Sequence, residues 1–338
     1  MNKLDKKEKD FYNKAKFAYI TDDNYVLPTI VSITSLFTNK RKDSNYEVFL
    51  ILNNISQENK LLLENLKKEF SSIHIINGES YIKNYEWIKQ KRHVSTSALI
   101  KFFLPQILKN EEKILYIDDD TIIQNDLTEV FNTDITKFYA GVIKDTFTIT
   151  SKEYIKKYNL NCVDYFNSGV MLLNLSRLRN ENVPQKLIED KQHHQTMFMD
   201  QDTFNKIFAN KVLFLSYRYN FLNYYLEKFS TIELSKFFGE KMPQNENKLY
   251  KSCNILHFGG INKPWTHDMD LLSKIYKNYY NKTILKNKKL ILQKCPYTRT
   301  FIEKLFSIKN QTRRNIKYKN LTILGKTIIL KITQITKN

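Results

Sequence analysis

We predict an α/β fold for this chain, with a central sheet that is mixed but mostly parallel, and two observations carry the prediction. Short apolar segments typical of strands alternate with longer segments of helical periodicity through the first part of the chain. Polar residues follow several of the strand segments, which is where open α/β sheets place their ligand sites. An apolar content of 42% over 338 residues supports a large core.

The predicted elements follow in order along the chain. Strands are predicted at residues 17–20, 48–52, 73–76, 113–117, 138–143, 170–175, 211–215 and 253–258. Helices are predicted at residues 27–37, 57–70, 97–108, 178–192 and 200–208. Pro28 suits a first helical turn, whereas Pro105 is expected to kink the end of its helix and Pro184 to shorten the next. The predicted buried face of the helix at 57–70 consists of Leu61, Leu62, Leu66 and Phe70.

The net charge of +19 is concentrated near the end of the chain. From residue 286 onward there are 14 Lys and Arg and one acid, Glu303, so +13 of the surplus lies there. The preceding body is only mildly basic, which argues against a nucleic-acid binder with basic faces throughout. We predict a catalytic domain at residues 1–282 and a basic C-terminal extension at residues 283–338.

Cysteine usage and the N-terminal segment predict the compartment. Cys162, Cys253 and Cys295 are odd in number and lack a CxxC spacing, which argues against a disulfide framework and a zinc site. The charged N-terminal segment has no apolar stretch typical of a signal peptide, and no segment has the roughly 20 apolar residues of a membrane span. We therefore expect a cytoplasmic protein.

The strand at 113–117 ends in three consecutive carboxylates, Asp118, Asp119 and Asp120, before apolar residues resume. Adjacent like charges repel one another, so a fold that keeps them beside a core needs a compensating cation. Asp118 and Asp120 are therefore candidates to hold a divalent metal, which would in turn hold a phosphate. The triplet alone is equally compatible with a solvated acidic turn.

Four more polar stretches lie at the ends of predicted elements. They are Thr21-Asp22-Asp23-Asn24, Asn167-Ser168-Gly169, Asp200-Gln201-Asp202, and His257-Phe258-Gly259-Gly260 with Lys263-Pro264-Trp265. Taken singly, each has a structural alternative. Asp22 or Asp23 could cap the helix at 27–37, and Asp200 or Asp202 the helix at 200–208. A lone histidine at a strand end is more often structural than a ligand.

Taken together and in this order, the five stretches resemble glycosyltransferase family 8, the retaining sugar-nucleotide enzymes that include lipooligosaccharide galactosyltransferases and relatives of glycogenin. The resemblance covers about residues 17–265, and the His-x-x-Gly-x-x-Lys-Pro-Trp stretch is its most specific part. It implies a GT-A type, Rossmann-like nucleotide-diphospho-sugar transferase fold. It also implies a hexosyltransferase that uses a UDP-sugar as donor.

The resemblance assigns a metal site and a phosphate site. It adds His257 to Asp118 and Asp120 as a third ligand of Mn²⁺ or Mg²⁺, and an imidazole favours Mn²⁺ over Ca²⁺. It places Gly260 where the backbone approaches the diphosphate, and Lys263 where its charge binds it.

The remaining positions concern the nucleotide and the sugars. The resemblance implies that Asp22 accepts from the uracil N–H, that Asn24 binds the base or the ribose, and that Asp119 lies near the ribose. The resemblance further implies that Asn167, Asp200 and Gln201 line the sugar pocket, with Gln201 beneath the anomeric carbon. Lys101 occupies a position where the family often has Arg, and a point charge there puts donor recognition in doubt. Asp145 matches an acidic position on the acceptor side.

These observations predict a metal-dependent retaining enzyme that moves galactose or glucose from a UDP-sugar to a surface glycan, such as lipooligosaccharide or lipopolysaccharide. Two alternatives are a sugar-nucleotide nucleotidyltransferase and a non-enzymatic basic binder of membranes or nucleic acid. The first usually has a Gly-rich loop after its first strand, and the loop at 21–24 has no Gly. The basic and apolar C-terminal extension also suits the cytoplasmic face of an anionic membrane, or else it packs on the catalytic domain. No nucleic-acid partner is expected.

Overall fold

The computed structural model describes residues 14–85, 96–160, 165–193, 196, 198–287, 290, 292–294, 306–313, 316–323 and 326–334. The strands are β1 (Lys14–Asp22), β2 (Asn45–Asn53), β3 (Ile73–Asn77), β4 (Lys113–Ile117), β5 (Thr121–Ile123), β6 (Ala140–Lys144), β7 (Phe166–Asn174), β8 (Val212–Phe214), β9 (Phe221–Leu222), β10 (Ile255–His257), β11 (His267–Asp268), β12 (Gln293–Lys294), β13 (Phe306–Arg313), β14 (Ile316–Ile323) and β15 (Lys326–Gln334).

Helices of varied length connect the strands. The longer α-helices are α1 (Val26–Asn39), α2 (Gln57–Glu69), α8 (Leu175–Asn180), α9 (Val183–His193), α10 (Met199–Ile207), α12 (Thr231–Phe238), α13 (Glu246–Ser252) and α14 (Leu271–Tyr280). The shorter ones are α3 (Glu79–Ile82), α4 (Leu104–Ile107), α5 (Thr128–Phe131), α6 (Phe147–Thr150), α7 (Lys152–Lys157) and α11 (Tyr225–Lys228). Residues Lys83–Tyr85, Thr96–Phe103 and Tyr217–Tyr219 form 3₁₀ turns.

The central sheet has seven strands in the order β3-β2-β1-β4-β7-β6-β8. β1 pairs in parallel with β2 and β4, β2 with β3, and β6 with β8. β7 alone is reversed, because it pairs antiparallel with both β4 and β6. The predicted mixed, mostly parallel sheet is confirmed. The reversal of β7 brings its first residues to the edge where β1 and β4 end, and this edge carries the site.

Both faces of the sheet are covered, as is usual for parallel strands. On β1, Phe17 and Tyr19 belong to one buried apolar cluster, whereas Ala18 and Ile20 belong to another on the opposite face. A second sheet has the order β5-β10-β9, with β10 antiparallel to β5 and parallel to β9. It carries His257, the last residue of β10, to the same edge of the molecule.

Three predictions about helices are wrong. Residues 97–108 are not one helix, because the 3₁₀ segment Thr96–Phe103 precedes α4, where Pro105 lies in the first turn and loses no hydrogen bond. The prediction at 178–192 corresponds to two helices, and Pro184 lies in the first turn of the second. On α2, Leu61 is 59% exposed, and Leu63 is buried in its place.

The C-terminal extension contains the three-stranded antiparallel sheet β13-β14-β15, in which Ile308 pairs with Leu321 and Leu321 with Ile328. Strands are the local structure expected where apolar and polar residues alternate. The boundary near residue 282 stays a prediction. Within the described residues, no helix is long and apolar enough to cross a membrane. Of the cysteines, Cys253 is buried and unpaired, and Cys162 and Cys295 lie outside the described residues.

Candidate active site

A cavity of about 950 Å³ opens at the carboxyl ends of β1 and β4. β4 runs into the aspartate triplet there, and the register that pairs Ile117 with Val170 brings the start of β7 beside the triplet. The antiparallel pairing of β10 with β5 brings His257 to the same place. Asp200 and Gln201, in the first turn of α10, line the same cavity. Four separate parts of the sequence therefore meet in one concave site: the ends of β4 and β10 and the starts of β7 and α10.

The outer two carboxylates of the triplet contact cationic or imidazole groups. Lys101 Nζ lies 3.0 Å from Asp118 Oδ1. His257 Nε2 lies 3.0 Å from Asp120 Oδ1 and 3.8 Å from Asp118 Oδ2, and Lys263 Nζ donates to Asp120 Oδ2. Burial would raise the pKa of Asp120, but the charges of Lys263 and His257 outweigh it and hold that pKa well below its usual range. Asp120 is therefore ionised at neutral pH.

Asp118, Asp120 and His257 form a group that fits a divalent cation. Each offers one ligand atom, and these atoms all lie within 4.8 Å of one another. Gly169 leaves the space that this group needs, because a Cβ there would lie 2.3 Å from His257 Cε1 and 2.7 Å from Asp118 Oδ2. Two carboxylates and an imidazole are a donor set that suits Mn²⁺ and leaves room for ligand oxygens.

Asp119 is not part of this group, although it also lines the cavity. It is buried, and within the described part of the chain its Oδ1 has no hydrogen-bond partner. Burial, followed by the charges of Asp118 and Asp120, raises the pKa of Asp119 well above its usual value, although hydrogen bonds from Thr21 and Thr29 act in the other direction. Its proposed place near the ribose stays a prediction.

Lys101 joins the triplet to α10. Its Nζ lies 2.8 Å from Asp200 Oδ2 as well as 3.0 Å from Asp118 Oδ1, and 4.8 Å from the centre of the Tyr116 ring. Burial would lower the pKa of Lys101, but the two aspartates outweigh it and raise that pKa. Ser168 Oγ adds a 2.9 Å hydrogen bond to Asp200 Oδ2. A compact ammonium group thus bridges two carboxylates in the site.

Neutral amides form the wall beside Asp200. Gln201 Oε1 accepts from Asn167 Nδ2 at 2.8 Å and from the Ser168 backbone N–H at 3.2 Å. Gln201 Nε2 donates to the Tyr165 hydroxyl at 3.1 Å and to Asp145 Oδ2 at 3.4 Å. These four contacts use both donors and both acceptor positions of the amide, so its orientation is fixed.

At the other end of the cavity, Asp22 lines the wall but Asn24 is exposed and lies outside the lining. The two carboxylate oxygens of Asp22 accept from the Asn24 backbone N–H at 3.1 Å and from Ser97 Oγ at 3.2 Å. α1 has no side-chain cap, and Asp23 accepts instead from residues at the start of α2. The capping alternative for Asp22 and Asp23 is therefore wrong.

The stretch after β10 forms the rim of the cavity. Gly260 lines it with a φ of +86°, a left-handed conformation that favours glycine. Lys263 Nζ contacts both Asp120 and the Phe258 carbonyl oxygen. Its charge therefore lies beside the metal group, the name used below for Asp118, Asp120 and His257.

Asp145 lines the cavity and contacts Gln201, whereas Asp202 is not part of the lining. Asp145 accepts from the Phe147 backbone N–H at 3.0 Å, and burial raises its pKa. Its contact with an acceptor stays a prediction. Asp200 and Asp202 do not cap α10, because Phe198 occupies the N-cap position and no side-chain cap hydrogen bond is formed there. Asp202 instead accepts from two tyrosine hydroxyls and from the backbone N–H of Phe198.

The structure brings together most predicted site residues and adds others. Asn220, Tyr165 and Ser97 contact predicted site residues, yet none of them belongs to a motif. Asn220 follows the aromatic stretch Tyr217–Tyr219, where nothing in the sequence marks a site. Only the pairing of β9 with β10 reveals its place beside His257.

The site thus combines a carboxylate–imidazole group with a basic rim at the carboxyl edge of a mixed α/β sheet, a set of groups that suits a divalent cation and a phosphate-bearing ligand. The family model described as glycosyl transferase family 8 matches residues 16–269, and this chain belongs to that family. The predicted GT-A-like fold and the glycosyltransferase class are thereby confirmed.

One similar protein supports the family assignment, and two solved structures support the fold. A Haemophilus influenzae protein, provisionally named a glycosyltransferase, is 34% identical over 207 residues, which are 60% of this chain and 62% of that protein. The structure of the galactosyltransferase LgtC with donor and acceptor sugar analogs has a TM-score of 0.65 at 21% identity, covering 80% of this chain and 96% of that one. The bifunctional glycosyltransferase WbbM has a TM-score of 0.67 at 22% identity, covering 84% and 51%. The chain thus spans less than two thirds of the first and third of these proteins.

Proposed function

We propose that this chain is a metal-dependent retaining glycosyltransferase that moves a hexose, galactose or glucose, from a UDP-sugar to a glycan acceptor. The single observation that carries the proposal is the convergence of two groups on one cavity. Asp118, Asp120 and His257 suit a cation that binds a diphosphate, and Asp200 and Gln201 line the same cavity, where they would contact the sugar. Family membership supports the same class of reaction.

The metal ligands and the basic residue of the rim would each help to neutralise the charge of the diphosphate. Asp118, Asp120 and His257 would hold Mn²⁺ or Mg²⁺, which supplies Lewis-acid neutralisation of the leaving group when bound. Lys263 would add a fixed positive charge at the same side, since its Nζ already lies against Asp120. Asp22, and Asn24 beyond the lining, would contact the base.

The amide wall supports retention without a covalent intermediate. Gln201 is uncharged and a poor nucleophile, and Asp200 is held by Lys101 and Ser168. The bond between the anomeric carbon and the diphosphate oxygen would break with its electron pair moving to that oxygen. The acceptor hydroxyl would form the new bond on the same face and give its proton to the departing diphosphate. Gln201 Oε1, held by two donors, would stabilise the positive charge that develops on the sugar.

The acceptor side is proposed in less detail. Asp145 contacts Gln201 and would contact the acceptor hydroxyl, and an acceptor of the lipooligosaccharide or lipopolysaccharide type would suit the basic C-terminal extension. Fourteen basic residues and one acid in that extension favour attraction to an anionic membrane surface. Sedimentation with anionic liposomes tests this point: equal binding by the full chain and by a variant ending at Lys282 would contradict it.

The central experiment is a screen of UDP-sugars for Mn²⁺-dependent hydrolysis, followed by addition of candidate glycan acceptors. We expect one UDP-hexose to be turned over with Mn²⁺ and not with EDTA, and the anomeric configuration of the product, read by proton NMR, to match that of the donor. If no nucleotide sugar binds in the presence of Mn²⁺, the proposal fails. An inverted product would contradict the retaining mechanism alone.

A further inference from the structure

A chain of buried hydrogen bonds connects the candidate metal group to the amide wall. It runs through His257, Asn220, Asn167, Gln201, Tyr165 and Asp202. The successive distances are 2.9, 2.8, 2.8, 3.1 and 2.7 Å. Every member is at most 9% exposed, and Asn220 is completely buried. Such a chain has a direction, because each amide offers oxygen on one side and N–H on the other.

Backbone donors fix that direction. The Gly169 N–H lies 2.9 Å from the Asn167 side-chain atom that also contacts Asn220, and a backbone N–H can only donate, so this atom is the amide oxygen. In the same way, the Ser168 N–H identifies the oxygen of Gln201. The orientation of both amides therefore follows from backbone N–H donors of β7.

The direction propagates to the histidine. Because Asn167 presents its oxygen to Asn220, Asn220 must present its N–H₂ to Asn167 and its oxygen to His257 Nδ1. An oxygen there requires a proton on Nδ1. His257 Nε2, which faces Asp120 Oδ1 at 3.0 Å and Asp118 Oδ2 at 3.8 Å, is then the nitrogen left to bind a metal, which would displace any proton that Nε2 shares with Asp120.

From this geometry we infer that Asn220 is a positioning residue that selects the Nδ1-protonated form of His257, so that Nε2 is the metal ligand. The inference rests on the metal site of the proposed function. Asn220 has no exposed surface and cannot touch a substrate, so it acts through its two neighbours. By one bond it orients a metal ligand, and by the other it holds Asn167 and hence Gln201.

Two substitutions of Asn220 test its hydrogen bonds to His257 and to Asn167 separately. Asn220→Leu removes the oxygen that accepts from His257 Nδ1, and we expect Mn²⁺ affinity, measured by electron paramagnetic resonance, to fall by roughly 10- to 100-fold. Asn220→Asp keeps an acceptor for Nδ1 but cannot donate to Asn167. We therefore expect it to bind Mn²⁺ within about threefold of wild type while its turnover of UDP-sugar falls by roughly 10-fold or more.

Asn174→Leu is the matched control, because Asn174 is a buried amide at the far end of β7 that bonds the Ile135 carbonyl and the start of α8. It should leave Mn²⁺ affinity unchanged. ¹⁵N NMR of His257 in the Mg²⁺-loaded wild type gives a second reading that needs no variant, and it should show a protonated Nδ1.

Two results would overturn the inference while leaving the proposed function intact. One is unchanged Mn²⁺ affinity in Asn220→Leu, and the other is a protonated Nε2 in the Mg²⁺-loaded protein. If wild type itself binds no Mn²⁺, the inference and the metal-dependent function both fail.

Discussion

The two walls of the cavity are built from different chemistry. One wall holds charges in pairs, with Asp118 beside Lys101 and Asp120 beside Lys263. The other wall consists of neutral amides, chiefly Asn167 and Gln201, whose hydrogen bonds follow one direction.

The difference has consequences for what each wall tolerates. A charge acts over several ångströms and in all directions, so the charged wall depends on the balance of charge more than on exact placement. An amide acts only along its bonds, so exchanging a donor for an acceptor disturbs it even at constant shape. Variants of the two walls should therefore fail in different ways: the first in stability and metal binding, the second in turnover.

The largest effect is expected for Lys101→Met, which leaves Asp118 and Asp200 without their buried cation. Removing one partner of a buried ion pair costs about 3–5 kcal/mol, so the free energy of unfolding should fall by this order in urea titrations with EDTA. Lys14→Met, which breaks the partly exposed pair with Glu47, should cost less than about 1 kcal/mol. If the free energy of unfolding fell equally in the two variants, the charged wall would not depend on a balance of positive and negative charge.

Asp120→Asn comes next, because it removes a negative ligand atom from the metal group while conserving shape. We expect Mn²⁺-dependent turnover of the UDP-sugar to fall by roughly 100-fold or more. The exposed Asp134→Asn, remote from the cavity, is the control and should be neutral. Full turnover by Asp120→Asn would contradict a role for this carboxylate in metal binding.

Gly169→Ala disturbs the place where the charged wall and the amide wall are in contact. A methyl group would push His257 and Asp118 apart, and we expect Mn²⁺ affinity measured by calorimetry to fall by roughly 10-fold. Gly141→Ala on the neighbouring strand β6 is the matched control, because its methyl group would meet mainly the flexible end of Leu215 at 3.0 Å. Similar metal affinity in the two variants would show that the metal group tolerates displacement.

The smallest effect is expected for Asp119→Asn. Since the folded state raises the pKa of Asp119, its stability contribution is full at low pH, and stability is lost as pH rises from the usual aspartate pKa toward the raised one. The Asn variant avoids this loss, so in EDTA it should be more stable at neutral pH by about 1 kcal/mol and equal to wild type at acidic pH. Thermal unfolding from acidic to neutral pH measures it. A variant that is less stable at neutral pH would show that the Asp119 charge is compensated.

The sequence by itself determined the order of strands and helices in the first part of the chain and the kinds of residue at the site. Periodicity is a local property, so β1 to β4 and α1 were readable from it, and the motifs containing Asp118, Gln201 and His257 stand within short stretches. The effect of proline could not be predicted from the sequence, because a proline disrupts a helix interior but suits a first turn. Pro105 and Pro184 both lie in first turns.

Only the tertiary structure decided which residues meet. β7 runs antiparallel between β4 and β6, and this pairing, together with that of β10 and β5, places Gly169 against His257. The role of Asn220 depends on three strands and a helix that are far apart in sequence, and no local pattern encodes it. Hydrogen-bond direction is a property of the assembled contacts, whereas charge and apolar periodicity are already present in the residues themselves.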